Sequence, residues 1–195
     1  MSRIATVRFI LVPHLRALRW VGRNSPRSST NTSCRQLLTK CSAFSAPIRD
    51  ILPSDHEQWL PLWDGYNAFY GRSGATALPT EITETTWKRF FDDREPMHGL
   101  VAELDGRLVG LTHYLFHRST TLLAPICYLQ DLFTVPERRG TGVGRALIEA
   151  VYRCAEQAGS ARVYWQTHET NLIAQRLYDQ VAERSGFIVY RKNVP

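Results

Sequence analysis

The stretch FTVPERRGTGVGRALIEAVY, residues 133–152, sets Arg138, Arg139, Gly140, Gly142 and Gly144 between a β-branched run and an amphipathic one. Glycines at alternate positions let backbone N–H groups turn toward one point, and a helix starting there adds unpaired donors and the positive end of its dipole. Such a loop binds a phosphate or pyrophosphate, and Arg139 and Arg145 add charge. Two other glycine-loop readings fail on residue type. A P-loop ends in Gly-Lys-Ser/Thr, whereas Gly144 is followed by Arg145 and Ala146. A dinucleotide fingerprint needs a third glycine where Arg145 stands, and an acid at the end of the next strand, which VYWQT lacks. The candidate phosphate site is therefore Arg139, Gly140, Thr141, Gly142, Val143, Gly144 and Arg145, and the strand before it offers an edge for an extended ligand arm.

Hydrophobic periodicity outlines the elements that must hold this loop. IRDILPSDHEQWLPLWDGYNAFYG opens with a short apolar strand, followed by Ser54 and Glu57 in capping-box spacing and by Trp59, Trp63, Tyr66 and Phe69 at helical intervals. Pro61 inside that pattern predicts a kinked or broken helix. A second short helix is expected around TETTWKRFFDD, with Trp87, Phe90 and Phe91 on one face. These aromatics read as core packing ahead of substrate lining. HGLVAEL and RLVGLTHYLFH form a hairpin about Asp105-Gly106. ICYLQDLFTV then reads as a buried strand, and a helix runs from Gly142 to a Gly159 cap with Ala146, Leu147, Ala150, Val151 and Cys154 as its buried stripe. ARVYWQT is another strand, NLIAQRLYDQVAERSG another capped helix and FIVYRK a last strand. The order describes an α/β (α+β) unit with one helical crossover between adjacent parallel strands. His113 and His117, four apart on one strand face, read either as proton relays or as sheet lining.

Composition narrows the partners. The 195 residues carry a formal charge of +6, but residues 1–47 hold eight basic side chains and no acid, leaving 16 basic against 18 acidic in the remainder. The high charge belongs to the leader, so nucleic-acid binding by the folded part is not expected. In the leader Arg8, Arg16, Arg19 and Arg23 cluster opposite Ile4, Val7, Leu11, Leu15 and Leu18, and a Ser/Thr/Asn-rich stretch follows. Two readings stand: a mitochondrial transit peptide, placing the protein in the matrix, or an inert extension of a cytoplasmic protein. No stretch is long and apolar enough for a membrane span. Cys34, Cys41, Cys127 and Cys154 show no C-x-x-C spacing, so neither a zinc site nor a disulfide framework is expected and a reducing compartment fits best.

Arg139-x-x-Gly142-x-Gly144, after a strand and Pro136, resembles the Q/R-x-x-G-x-G/A signature of the GNAT superfamily of N-acetyltransferases. Asn171-x-x-Ala174-x-x-Leu177-Tyr178 on the next helix is similar to the superfamily's second motif, and the resemblance covers residues 48–195. YLQDLF, ARVYWQTHETN and LYDQVAERSGFIVYRK most resemble the fungal histone and D-amino-acid acetyltransferase branch and its bacterial kin. The resemblance implies an acyl-CoA N-acyltransferase fold, a mixed, mostly antiparallel central sheet flanked by helices, with acetyl-CoA as cosubstrate and no metal.

It also implies roles. Leu132, Phe133 and Thr134 lie along the pantetheine arm, where one backbone N–H holds the thioester oxygen. Arg139 through Arg145 hold the pyrophosphate, and Asn171 sits near the cofactor arm or caps its helix. Tyr178 is the general acid toward the departing thiolate, or alternatively a buried ring on the stripe with Ala174, Leu177 and Val181. A primary amine, with pKa about 8 for an α-amine and about 10.4 for lysine, must lose a proton before it attacks. Diamine acetyltransferases carry adjacent Glu and Asp in the stretch reading YLQDLF here; Gln130 replaces their Glu, while Asp131 remains to bind or deprotonate the substrate ammonium, or else to serve as a structural strand residue. The expected reaction is acetylation of a small-molecule amine, amino acid or polyamine-like. A protein acetyltransferase and a non-catalytic acyl-CoA sensor are the alternatives, and a homodimer is implied by analogy with the branch.

Overall fold

The computed structural model describes residues 46–194; the basic leader, with Cys34 and Cys41, lies outside the described residues apart from Ala46 and Pro47. The elements in chain order are β1 (Ile48–Asp50), α1 (His56–Phe69), α2 (Thr80–Arg89), β2 (Met97–Leu104), β3 (Arg107–His117), β4 (Ile126–Thr134), α3 (Val143–Gln157), β5 (Val163–Tyr164) and α4 (Leu172–Val181). The five strands pair in that same order, antiparallel from β1 to β4 and parallel between β4 and β5. A parallel pair needs a crossover, and α3 provides it. The mixed, mostly antiparallel sheet expected from the sequence is thus the observed one. No helix among the described residues is long and apolar enough to cross a membrane.

Each sheet face has its own core. Leu147, Ile148, Ala150 and Val151 of α3 pack with Leu100, Ala102, Cys127 and Leu129 on one side. On the other, Trp59, Leu62 and Trp63 of α1 and Trp87 of α2 pack with Val101, Leu108 and Leu111. Burying each large apolar side chain stabilises by roughly 1.5–3 kcal/mol. Gly110 lets α3 approach β3 closely, because a Cβ there would stand 2.9 Å from the Phe133 carbonyl oxygen and 3.0 Å from Val143 Cγ1. The hairpin turn falls at Asp105 and Gly106, both with positive φ.

Several local expectations are corrected. Helix α1 runs through Pro61 without a break in its assignment, since Trp59, Leu62 and Trp63 on its buried face outweigh one lost backbone bond. Ser54 and Glu57 form no capping box. A 3-10 turn at Pro53–Asp55 precedes the helix, and Asp55 instead accepts the Leu52 N–H at 2.7 Å. Phe91 is 39% exposed and Phe69 53%, so neither is core. On α3, Ala146 and Cys154 are only partly buried, while Val143, Ile148 and Ala155 join the stripe. Helix α4 stops at Val181, where Ala182 turns extended, rather than at Gly186. FIVYRK pairs with no strand of the sheet, and Phe187, Ile188, Val189 and Tyr190 stand between 64% and 89% exposed. Its β-branched and aromatic residues suit a strand, but among the described residues no sheet edge pairs with it.

Candidate active site

Strand β4 changes partner and phase halfway along. Its pairing with β5 ends at Tyr128↔Tyr164, so from Leu129 to Thr134 the edge that faced β5 carries no ladder. At the same point the register with β3 steps from Tyr114↔Leu129 to His113↔Asp131, leaving Gln130 as an extra residue. One extra residue reverses the alternation of side chains. Cys127 and Leu129 therefore face the α3 core, whereas Phe133 packs into the α1 core and Asp131 meets the His113 side chain beside Trp59.

Asp131 is 4% exposed and His113 1%. Trp59 Nε1–H donates to His113 Nε2 at 3.0 Å, and that nitrogen is thereby an acceptor. The other ring nitrogen, Nδ1–H, donates to Asp131 Oδ2 at 3.0 Å. An indole N–H can only donate, so the pair of bonds fixes the imidazole in the tautomer whose Nδ1 carries the hydrogen. The strand carbonyl of Asp131 accepts from Thr112 Oγ1 at 2.8 Å. His113 is thus a buried link between two partners, whereas His117 is engaged separately with the Tyr164 hydroxyl at 3.1 Å.

Tyrosines surround the carboxylate. Burial, then the Asp131 charge and a hydrogen bond to its carboxylate, push the Tyr66 phenol well above its usual range. Tyr70 and Tyr128 are pushed up by burial and then by the same carboxylate. Tyr66 and Tyr70, one helical turn apart on α1, meet edge to face at 5.2 Å between centroids. The sequence signal for Tyr66 was present but read as core. Tyr70, Tyr128 and Trp59 were not singled out as site residues, because only the bulge and the crossing of α1 over the sheet bring them together.

The glycine loop has the conformation its composition implies. Gly140 and Gly142 have φ of 75° and 93°, and no atom lies within 4 Å of where a Cβ would stand at either position. Gly142 is the N-cap of α3, and Val143 behind it is buried. Gly144 has a different job: a Cβ there would lie 3.4 Å from Leu177 of α4 and 3.8 Å from Thr134 Oγ1. Thr141 Oγ1 ties to the Arg138 carbonyl at 2.7 Å, and Arg139 Nε reaches back to the Thr134 carbonyl at 3.2 Å with its guanidinium over the Phe133 ring. Arg145 instead bonds Gln180 of α4.

Leu132 and Thr134 lie, with Phe133, on the part of β4 that β3 pairs and β5 does not, and the Phe133 ring lies against Gly65 of α1, where a Cβ would be only 2.6 Å away. Tyr178 packs edge to face on Trp165 at 5.4 Å. Burial, aided by Tyr70, pushes its phenol up to about 12. Tyr178 and the Asp131 cluster thus share Tyr70 as a neighbour. Asn171 starts α4, but its side chain makes no cap bond and donates to Thr167 Oγ1 at 3.2 Å. Cys127 is inert structure, its thiol pushed up to about 12 by burial and by Cys154. Among the described residues no group of three or more His, Cys, Asp or Glu is arranged to hold a metal.

The arrangement is a free strand edge running into an open glycine loop at a helix N-terminus, with a buried carboxylate on one side and a protonated phenol nearby. Comparison with known proteins agrees with it. The D-amino-acid N-acetyltransferase HPA3 of Saccharomyces cerevisiae is 36% identical over 148 residues, 75% of this chain and 89% of that protein. An uncharacterized N-acetyltransferase of Bacillus subtilis is 33% identical over 150 residues, 76% of this chain and 97% of its own length. The fold matches that of the aminoglycoside acetyltransferase AAC(6')-Iy, solved with a CoA-based bisubstrate analog, with a TM-score of 0.62 at 20% identity over 75% of this chain and 97% of that one. The sequence pattern of the acetyltransferase (GNAT) family spans residues 59–182, and the chain belongs to that family of acetyl-CoA-dependent N-acetyltransferases.

Proposed function

We propose that the protein transfers the acetyl group of acetyl-CoA to a primary amine of a small molecule, amino acid or polyamine-like, by direct attack in a ternary complex. The observation that supports this reading most is the continuity of the unpaired β4 edge, Leu129 to Thr134, with the open Gly140–Gly142 turn. The edge suits an amide-bearing arm, and the turn with the α3 N-terminus suits a pyrophosphate. Acetyl-CoA has both parts in that order. The names of the yeast and bacterial relatives favour an N-acetyltransferase, and HPA3 an amino-acid acceptor.

In this mechanism the incoming ammonium gives a proton to Asp131, directly or through the Tyr66 hydroxyl. The freed nitrogen lone pair then attacks the thioester carbon, while a backbone N–H among Leu132, Phe133 and Thr134 stabilises the oxyanion. The carbon–sulfur bond breaks as Tyr178 supplies a proton to the departing sulfur, and the second proton of the acylated nitrogen passes to the Tyr178 phenolate, which leaves a neutral amide and restores the phenol. A phenol pushed up to about 12 is fully protonated at neutral pH and so always a donor. Homodimerisation belongs to the same reading. Phe187 and Ile188 stand exposed in the tail after α4, and β5 is an end strand of the sheet, so one chain carries both a segment of strand-like composition and a sheet edge it leaves open.

Thiol release from acetyl-CoA tests the reaction, using free amino acids, polyamines and lysine peptides as acceptors. Turnover of free small amines supports it. Turnover of peptides alone would make the protein a protein acetyltransferase, and tight acetyl-CoA binding without release on any acceptor would make it a sensor.

A further inference from the structure

The acidic end of the tyrosine cluster has a basic counterpart. Arg72 follows α1, and its guanidinium carbon lies 5.8 Å from the Tyr66 ring centroid and 5.4 Å from that of Tyr70. A buried amide holds it there. Asn67, 3% exposed, spends its Nδ2 on the Trp63 carbonyl at 2.9 Å, which turns Oδ1 outward to accept Arg72 Nε–H at 2.7 Å. The Arg72 backbone N–H is fixed to the Asn67 carbonyl at 3.0 Å as well. Anchored through Nε, the guanidinium keeps its terminal Nη1 and Nη2 fork for another partner. Arg72 belongs to none of the ion pairs among the described residues. A planar fork so placed matches a carboxylate in two parallel bonds.

The same two rings thus neighbour both a buried carboxylate, Asp131, and a preorganised guanidinium. We infer that Arg72 is the carboxylate-recognising residue of the acceptor pocket, so that the preferred acceptor is a free α-amino acid whose ammonium turns to Asp131 and whose carboxylate turns to Arg72. The inference rests on the proposed acetylation of small amines and selects among them: a polyamine offers nothing for Arg72, and a peptide lysine carries no carboxylate beside its amine.

The test compares D and L neutral amino acids with their amides and with the matching decarboxylated amines, on the full chain and on Arg72→Gln and Arg72→Lys. The wild type is expected to prefer the amino acids. Arg72→Gln should lower kcat/KM for them by about 10- to 100-fold, as for loss of a charged hydrogen-bond pair. Amides, amines and the KM for acetyl-CoA should barely change, and Arg72→Lys should restore part of the loss. Equal effects on amino acids and amines, or no wild-type preference for the carboxylate, would overturn the inference while leaving the transferase reading intact. If no acceptor released thiol, the proposed reaction would itself fail. Calorimetry of amino-acid binding in the presence of CoA then decides the Arg72 subsite: binding weakened in Arg72→Gln supports it, and absent or unaltered binding overturns it.

Discussion

His113 Nδ1 donates to Asp131 Oδ2 at 3.0 Å across adjacent strands, in a place from which both side chains are almost wholly excluded from water. The imidazole is itself fixed by Trp59, a donor that accepts nothing. Water is replaced there by oriented hydrogen-bond partners inside an aromatic layer. In the proposed mechanism, an amine arriving beside Asp131 meets a carboxylate already aimed.

On the proposed mechanism, removing the Asp131 carboxylate should be the most damaging single change. Asp131→Asn is expected to lower kcat by about 100-fold or more, within the range of general base catalysis, with little change in the KM for acetyl-CoA. Trp59→Phe should act more mildly, by several-fold, because it frees His113 Nε2 and lets the ring exchange tautomers. Nitrogen NMR of His113 would show that exchange, which a purely structural loss would not.

Tyr178→Phe should lower kcat by about 100-fold while leaving acetyl-CoA affinity unchanged. The sign of its pH effect is fixed. The folded phenol titrates up to about 12, above its ordinary value near 10, so it stays protonated through neutral and mildly alkaline pH. No fall in kcat below about pH 10 should therefore come from Tyr178. Its contribution to stability is complete below about pH 10 and is lost as pH rises toward 12, and Tyr178→Phe should soften alkaline unfolding accordingly. Urea titrations at several pH values would measure this.

Gly142→Ala tests the loop. A side chain at φ of 93° is strained, although nothing stands in its way. The strain of about 1–2 kcal/mol should raise the Kd for CoA roughly 10-fold by calorimetry, with a smaller change in Tm than Gly110→Ala, whose Cβ collides with the Phe133 carbonyl.

Asp55 supports the site from below by joining β1 to the start of α1. Burial opposes its charge, but paired bonds from Arg49 at 2.6 and 2.9 Å and the Leu52 N–H hold its carboxyl below the usual range. Stability from this group is present above about pH 4 and is lost as pH falls through its lowered value. Asp55→Asn should cost about 3 kcal/mol at neutral pH, and its Tm should approach that of the wild type in strong acid.

The tail predicts association. Sedimentation should show a dimer for the full chain and a monomer for Phe187→Asp combined with Tyr190→Asp, with CoA binding kept as evidence of folding. A monomeric wild type would remove the dimer from the proposal.

Much of this protein is decided locally. Alternate glycines before an amphipathic run must form a turn of inward N–H groups at a helix start, and Asp105-Gly106 between alternating strands must form a hairpin, because φ preference and side-chain period act within a few residues. The loop and the element order as far as α4 were legible for that reason. Asp131 and Tyr178 were legible as candidates by likeness alone; nothing near Asp131 in sequence shows that Trp59 and His113 orient it. That depended on an extra residue at Gln130, which reverses the alternation of β4, and on α1 packing on the sheet to set Trp59 and Tyr66 against the reversed face. The same distance dependence explains the tail. FIVYRK has the composition of a strand, but pairing needs an edge, and an edge is a property of the assembled sheet.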